Sequence, residues 1–267
     1  MYLLGIDVGT SSVKVALVAA SDQSIVATAH YPENEADIIS LKPGWAEQNP
    51  NDWWYFVQQA VIKITSQHKK EAAAVNAIGI AYQMHGLVVV DDHQQTLRNS
   101  IIWCDSRAVE LGDEAFEQIG KDQCLTSLLN SPGNFTASKL AWVKQNEPEI
   151  YTRIDKVMLP GDFIAMKLTG EVTTTVSALS EAILWDFQKK QLADEVLAYY
   201  QLNRKHIPEL RSLFSVHGQL SNDVATSLGL PTGIPVTYKA GDQLNNALSL
   251  NVTRPGEVGA TAGTSGV

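Results

Sequence analysis

The chain has 267 residues, of which 45% are hydrophobic and 18% are charged, a balance that is ordinary for a globular protein with a buried core. Its 20 basic and 29 acidic residues give a formal net charge of −9, which argues against a broad surface for nucleic acid or for an anionic membrane. Cys104 and Cys124 have no metal-ligand spacing and are too few for a disulfide framework. Because Asp7 interrupts the first apolar residues and no apolar run reaches about 18 residues, we expect no signal peptide, no membrane span and a cytoplasmic location.

The first part of the chain predicts an antiparallel β-meander. Three short segments rich in β-branched residues are separated by a Gly-Thr-Ser-Ser turn and by a polar turn. We therefore predict strands at Tyr2–Val8, Val13–Ala19 and Ile25–Tyr31.

A helix is predicted to begin at Asn49, which can cap it, with Pro50 at the first helical position. Apolar residues recur at helical spacing from Trp53 to Ile64. A buried strand at Ala77–Ala81 follows.

The rest of the chain mixes further strands with helices. We predict two strands joined by a polar turn, and then a mostly helical region from about 106 to 230 that is broken at three prolines. The predicted strands are Leu87–Val90, Ser100–Trp103, Pro235–Lys239 and Glu257–Thr261, and the breaks are Pro132-Gly133, Pro160-Gly161 and Pro231.

Two turns rich in glycine and hydroxyl groups each follow a predicted strand. Such a turn can hold phosphate oxygens with backbone N–H groups and hydroxyls, and in the first one Asp7 could hold a hydrated Mg²⁺ while Lys14 offsets phosphoryl charge. An ordinary hairpin turn explains the first segment equally well, and its spacing is not that of a Walker A loop. The residues are Gly9, Thr10, Ser11 and Ser12 in the first turn and Gly263, Thr264, Ser265 and Gly266 in the second.

A third segment, Gly241-Asp242-Gln243, lies between a predicted strand and a helix start. A carboxylate at Asp242 could accept the proton of a hydroxyl that attacks phosphorus. Taken alone, an N-cap role explains this aspartate better.

Two further segments follow strands, where the ligands of α/β sheets tend to bind. Their mixed donors and acceptors suit a polyol, and a tryptophan offers a flat apolar wall. The residues are Gln83, Met84, His85, Trp103, Asp105 and Arg107. A single histidine or tryptophan at a strand end usually serves packing, so the argument depends on the set.

Taken in order, these segments resemble the FGGY family of carbohydrate kinases and, within it, the xylulokinases. The motifs are GIDVGTSSVK, PGWAEQNPNDWW, AIGIAYQMHG, IIWCDSR, FTASKLAWVKQNEPEI, VMLPGDF, AGDQLNNA and TAGTSG, and they span the whole chain. Their order and separation are far more specific than any single glycine turn.

The resemblance implies an α/β protein of the actin-like, ribonuclease H-related fold, with a mixed sheet and a β-meander flanked by helices, as the first of two lobes. Residues 1–246 would form the sugar-binding lobe. Residues 247–267 would hold a linker with the first strand and phosphate loop of a carboxy-terminal nucleotide-binding lobe. The adenosine pocket belongs mainly to that lobe in this family, so we expect the chain alone to be inactive.

The resemblance also implies ATP and Mg²⁺ as cofactors and a sugar as substrate, and it is compatible with a homodimer. Asp7 would associate with the metal, Lys14 and the two glycine turns with phosphate, and Asp242 would be the base. The sugar pocket would be lined by Gln83, Met84, His85, Trp103, Asp105, Arg107, Asp242 and Gln243.

Several residues depart from the xylulokinase pattern, chiefly at the pocket wall: Tyr82, Cys104, Ser106, Asn134 and Gln243. The resemblance implies D-xylulose as the substrate. Because of these departures, L-ribulose, another ketopentose or a polyol is the alternative. A non-catalytic sugar-binding module is the alternative of a different class.

Overall fold

The computed structural model describes residues 1–260. Its strands are β1 (Tyr2–Val8), β2 (Val13–Ala19), β3 (Ile25–Tyr31), β4 (Glu47–Gln48), β5 (Val75–Tyr82), β6 (Val88–Val90), β7 (Ser100–Ile101), β8 (Lys156–Met158), β9 (Thr173–Thr174), β10 (Trp185–Asp186), β11 (Gln191–Leu192), β12 (Glu209–Leu210), β13 (Gly218–Gln219) and β14 (Pro235–Gly241).

The α-helices are α1 (Pro50–Gln67), α2 (Lys69–Ala72), α3 (Val109–Ile119), α4 (Lys121–Ser127), α5 (Thr136–Asn146), α6 (Pro148–Tyr151), α7 (Pro160–Thr169), α8 (Val176–Glu181), α9 (Asp194–Tyr199), α10 (Asn222–Leu228) and α11 (Asp242–Ser249), and a 3₁₀ turn covers Arg204–His206. No helix within residues 1–260 combines the length and the apolar character needed to cross a bilayer.

A six-stranded mixed sheet in the order β13-β14-β5-β1-β2-β3 forms the centre of the fold. The predicted meander β1–β3 is antiparallel and has the predicted bounds, whereas β5 pairs parallel with β1 and β14 pairs parallel with β5. Val8, Tyr82 and Gly241 lie in register at the carboxyl ends of the three parallel strands. The segments that follow these strands therefore meet at one edge of the sheet.

One face of the sheet is covered by α1, which begins as predicted. The Asn49 side chain accepts a hydrogen bond from the Asn51 N–H at 3.0 Å, and Pro50 occupies the first turn. Trp53 and Val57 are buried on the helix face that packs against alternate apolar residues of the sheet, including Ile6. This arrangement is the amphipathic packing that the helical spacing predicts.

A second apolar cluster packs around α5, between the carboxyl end of β5 and β13. It joins helices α3, α5, α8 and α9 to β6 and β8, and its buried residues include Leu140, Val157 and Leu184. This region carries most of the short helices predicted between about 106 and 230.

Several predictions about elements are corrected. Leu87–Val90 and Ser100–Trp103 do not form a hairpin, because β6 pairs with β8 and β7 pairs with β4, leaving a single bridge between Leu87 and Ile101. Pro160 begins α7 instead of breaking a helix, since proline lacks only an N–H that is unpaired in a first turn.

The predicted strand at Glu257–Thr261 is also not formed over its described residues, 257–260, because none of them pairs with a strand. Thr261 and the predicted second phosphate turn, Gly263 to Gly266, lie outside the described residues. Helix α11 continues to Ser249, past the predicted lobe boundary at residue 246.

Candidate active site

The turn between β1 and β2 is tight and brings two charged residues together. The Gly9 N–H donates to the Ser12 carbonyl at 3.1 Å, and a Cβ on Gly9 would lie 2.9 Å from that oxygen, so a side chain there would crowd the turn. Asp7 and Lys14 are cross-strand neighbours whose charged atoms are 3.9 Å apart. Burial raises the pKa of Asp7, and the Lys14 ammonium opposes that shift.

Asp242 begins α11 directly after β14, at the same edge of the sheet as Asp7. The helix is capped at Gly241, so the N-cap explanation of Asp242 is wrong. Burial raises the pKa of Asp242 first, the backbone N–H of Gln243 lowers it, and the Asp7 carboxylate raises it further. The two aspartates therefore lie at one edge of the sheet, although 234 residues separate them in the chain.

Thr10 joins the first turn to the loops after β5 and β7. Its hydroxyl donates to Gln83 Oε1 at 3.1 Å and accepts from Trp103 Nε1 at 2.9 Å. Its carbonyl accepts from Gln48 Nε2 at 2.8 Å, and Gln83 Nε2 donates to Gln48 Oε1 at 3.2 Å. The structure thus brings three predicted site residues, Thr10, Gln83 and Trp103, into one hydrogen-bonded set.

Met84 lies beside Gly241, the residue that precedes Asp242, and His85 follows Met84 in the same loop. A Cβ on Gly241 would come within 2.5 Å of Met84 Cγ, so the glycine allows this close approach. The pKa of His85 is lowered to about 4, chiefly by burial, with the hydrogen bond to the Glu181 carbonyl opposing the shift and the nearby Lys139 ammonium adding to it, so the imidazole is neutral at pH 7. The contact with Gly241 places Met84 next to the residue that precedes the candidate base.

Trp103 and Cys104 lie at the surface, and Trp103 is 51% exposed. An exposed indole held by one hydrogen bond is a suitable apolar wall for a sugar ring. Ser11, Ser12 and Gln243 are exposed to partly exposed around the same edge.

Asp105 and Arg107 are placed differently, because their side chains are only 0% and 1% exposed. The Asp105 carboxylate accepts from the Ala46 N–H at 2.6 Å and from Arg107 Nη2 at 2.7 Å. Arg107 also pairs with Glu47 at 2.7 Å, and its guanidinium lies 3.8 Å from the centre of the Trp45 ring. In this structure they support the loop that carries Trp103, and a direct contact with sugar stays a prediction.

Two residues that were not predicted as site residues, Lys139 and Glu181, support the site through the hydrogen bonds of their buried side chains. Lys139, quoted only as part of a motif, is fully buried and donates to the carbonyls of His85 at 3.0 Å and Ile102 at 2.9 Å. Glu181 is buried against Tyr82 and His85. The sequence signal for Lys139 was a lysine among apolar neighbours in a helix, because a buried ammonium group needs hydrogen-bond acceptors. No sequence pattern marked Glu181.

A groove of about 640 Å³ runs along the sheet face opposite α1 and reaches Asp7, Lys14 and Asn245. It does not include Met84, His85, Trp103 or Asp242. The groove therefore reaches the predicted phosphate side of the site and not its predicted sugar side. Within residues 1–260 no three His, Cys, Asp or Glu side chains gather as a metal cage.

Comparisons with known proteins show the family of the chain. The sequence profile of the FGGY family of carbohydrate kinases, N-terminal domain, matches residues 2–249. The xylulose kinase of Escherichia coli (strain K12) is 34% identical over 267 residues, which cover 100% of this chain and 53% of that protein. The chain belongs to the FGGY family of carbohydrate kinases and corresponds to its amino-terminal domain.

Solved structures define the fold. A crystal structure described as a xyloylose kinase from Brucella ovis matches with a TM-score of 0.91 at 33% identity, over 100% of this chain and 54% of that one. The xylulose kinase from Rhodospirillum rubrum also gives a TM-score of 0.91, at 27% identity and the same coverage. The predicted actin-like α/β fold is confirmed, and the chain spans about half the length of the relatives it matches.

Proposed function

We propose that the chain supplies the sugar-binding lobe of an ATP-dependent kinase that phosphorylates a ketopentose, with D-xylulose as substrate and D-xylulose 5-phosphate as product. The observation that carries the proposal is that Asp7 and Asp242 lie at one edge of the sheet, where Met84 approaches Gly241 closely. The xylulose kinases among the relatives support the choice of sugar.

In the proposed reaction Asp242 accepts the proton of the attacking hydroxyl, which approaches the γ-phosphorus in line with the leaving oxygen. A pKa raised by burial makes this carboxylate a stronger base than an exposed aspartate. Met84, His85, Trp103 and Gln243 hold and orient the sugar beside it.

The residues at the first turn fit MgATP. Asp7 is a partly exposed carboxylate, with a side chain 41% exposed, and Mg²⁺ needs few protein carboxylates because it keeps several waters. The narrow turn that follows Gly9 offers N–H groups and the hydroxyls of Ser11 and Ser12 for phosphate oxygens, and Lys14 adds positive charge. When bound, Mg²⁺ supplies neutralisation of the phosphoryl charge.

In the same proposal residues 1–246 are the sugar-binding lobe, and residues 247–267 lead into a nucleotide-binding lobe through the turn at Gly263 to Gly266. The protein acts in the cytoplasm, where Cys104 and Cys124 stay reduced. The departures at Tyr82, Cys104 and Gln243 leave L-ribulose, another ketopentose or a polyol as the second candidate substrate.

The test is a coupled ADP-release assay on the full-length protein with D-xylulose, L-ribulose, D-ribulose, glycerol or no sugar. Preference for D-xylulose is expected. Preference for another sugar would overturn the choice of substrate and retain the kinase. Absence of turnover with every sugar would overturn the assignment as a kinase. The sugar-binding module would then be the remaining hypothesis.

A further inference from the structure

Glu181, the last residue of α8, contacts His85 at two points. Its side-chain Oε2 accepts a hydrogen bond from the His85 backbone N–H at 3.2 Å, and its main-chain carbonyl oxygen lies 3.0 Å from His85 Nδ1. A carbonyl oxygen can only accept, so Nδ1 carries the proton and donates it. The Nε2 atom of the neutral ring is then a bare acceptor.

Two other contacts hold His85 in the same position. Lys139 donates to its carbonyl at 3.0 Å, and the Phe135 ring meets the imidazole edge-on with 4.5 Å between ring centres. The backbone of His85 is left-handed, with φ at 64°, a conformation that residues other than glycine adopt at a cost of about 1–3 kcal/mol. The hydrogen bond to Glu181 helps to offset that cost.

Glu181 is itself fixed. The Tyr82 hydroxyl donates to Glu181 Oε1 at 2.7 Å, and the residue is 6% exposed. The Tyr82 ring fits because a Cβ on Gly161 would lie 2.0 Å from it. The Glu181 carboxyl also lies beside Gly241, where a Cβ would be 3.2 Å from Oε1, so it adjoins the residue before Asp242.

We propose that Glu181 is a positioning residue of the sugar site, which holds His85 so that Nε2 accepts a hydrogen bond from a hydroxyl of the substrate. Within residues 1–260 Nε2 makes no hydrogen bond of its own. Tyr82, which departs from the family pattern, acts through Glu181. The inference rests on the proposed function and deepens it, because it names His85 Nε2 as the atom that accepts a hydrogen bond from a sugar hydroxyl.

Kinetics of three variants of the full-length protein test the role of Glu181. In Glu181→Ala we expect the KM for sugar to rise about tenfold, since a hydrogen bond that orders the site is lost, with kcat and the KM for ATP within about twofold. In Glu181→Gln we expect a sugar KM within about threefold of the parent value, because the amide still accepts from His85 and donates to Tyr82.

Asp186→Ala is the matched control. The Asp186 carboxylate is buried and accepts from the N–H groups of Gln188 and Lys189, both at 2.8 Å, so its loss also removes hydrogen bonds to the backbone. This variant should lose stability with an unchanged KM for sugar. An unchanged sugar KM in folded Glu181→Ala, or an equal rise in Asp186→Ala, would overturn the inference.

A second measurement needs no variant. In ¹⁵N-histidine-labelled full-length protein at pH 7, the nitrogen chemical shifts of His85 should show a protonated Nδ1 and an unprotonated Nε2, and addition of sugar should shift the Nε2 signal. A protonated Nε2, a charged ring or an Nε2 signal that sugar leaves unmoved would contradict the assignment. Failure of the proposed function appears separately, as no ADP release by the parent protein while these signals respond to sugar.

Discussion

The two ends of the candidate active site are built in opposite ways. At the phosphate end the charged atoms of Asp7 and Lys14 are 3.9 Å apart, and their side chains are 41% and 68% exposed. At the sugar end the Asp105 and Arg107 side chains are 0% and 1% exposed, and Lys139 is fully buried with two carbonyl acceptors.

The difference shows that the sugar end is the rigid part of the candidate site. Buried and hydrogen-bonded supports fix the loops that would recognise one sugar among many, because specificity depends on groups held in place before binding. The charged side chains at the phosphate end are partly or largely exposed to water, where salt screens them. They can pair with a highly charged ligand when it binds.

The largest expected effect comes from the residue where the two ends meet. Asp242→Ala in the full-length protein should reduce kcat by about a thousandfold, because a positioned general base contributes roughly 10²–10⁴. The sugar KM should change much less. Steady-state kinetics measure both, with Asp223→Asn, an exposed aspartate on α10, as the control that stays at parent activity. Near-parent turnover in Asp242→Ala would remove the base from this site.

The buried sugar end should be sensitive to loss of one charge. Asp105→Asn should lower the free energy of unfolding by about 3 kcal/mol, since it leaves the Arg107 guanidinium buried with fewer acceptors. Asp194→Asn breaks a pair with Arg204 at 2.7 Å that is about half exposed, and should cost under about 1 kcal/mol. Urea unfolding measures both, and equal losses would mean that burial does not distinguish the pairs.

The same end should respond to pH. Burial raises the pKa of Glu181 to about 8; the hydrogen bonds from Tyr82 and His85 oppose this shift, and Asp162 and Asp242 add to it. The folded protein keeps this proton up to about pH 8, whereas the unfolded chain releases it near pH 4.5. The free energy of unfolding of the parent should therefore fall with rising pH across that window, relative to Glu181→Gln.

The expected difference between pH 5 and pH 8 is more than about 1.4 kcal/mol, the equivalent of one pKa unit. Urea unfolding of the two proteins at several pH values gives it. Parallel curves would mean that the Glu181 carboxyl titrates normally in the folded state.

The smallest effect is expected at the exposed phosphate end. Lys14→Ala should raise the KM for ATP by about fivefold at low ionic strength, and the difference from the parent should shrink as salt is added, because exposed charges are screened. Lys70→Ala, an exposed lysine in α2, is the control without an effect. An effect of Lys14→Ala that is independent of salt would place this lysine among buried interactions.

Local rules predicted the frame of the fold well. Alternation and turn residues gave the bounds of the meander β1–β3, and the cap at Asn49 with Pro50 gave the start of α1. Long-range pairing was less accessible. The strand β6 pairs with β8 far along the chain, and nothing in the segment around Leu87 distinguishes that partner from the nearby Ser100–Trp103.

The candidate site divides along the same line. Residues next to strand ends, such as Asp7, His85 and Asp242, were predictable because the parallel strands of a sheet end at one edge. Burial was not predictable for Asp105 and Arg107, because it depends on Ala46 and Glu47 from another part of the chain. Glu181 was missed for the same reason, since its partners Tyr82 and His85 are almost a hundred residues away.

The parallel pairing of β14 with β5 has a consequence for how the protein folds. The pairing closes a loop that extends from Tyr82 to Pro235, whereas β1, β2 and β3 join through short turns. Contacts between distant segments form slowly, because the chain loses the entropy of loop closure before these contacts can stabilise it. In pulse-labelling hydrogen exchange during refolding, amides of β1 and β2 should therefore become protected before those of β14, so Asp242 reaches Asp7 only at a late stage of assembly.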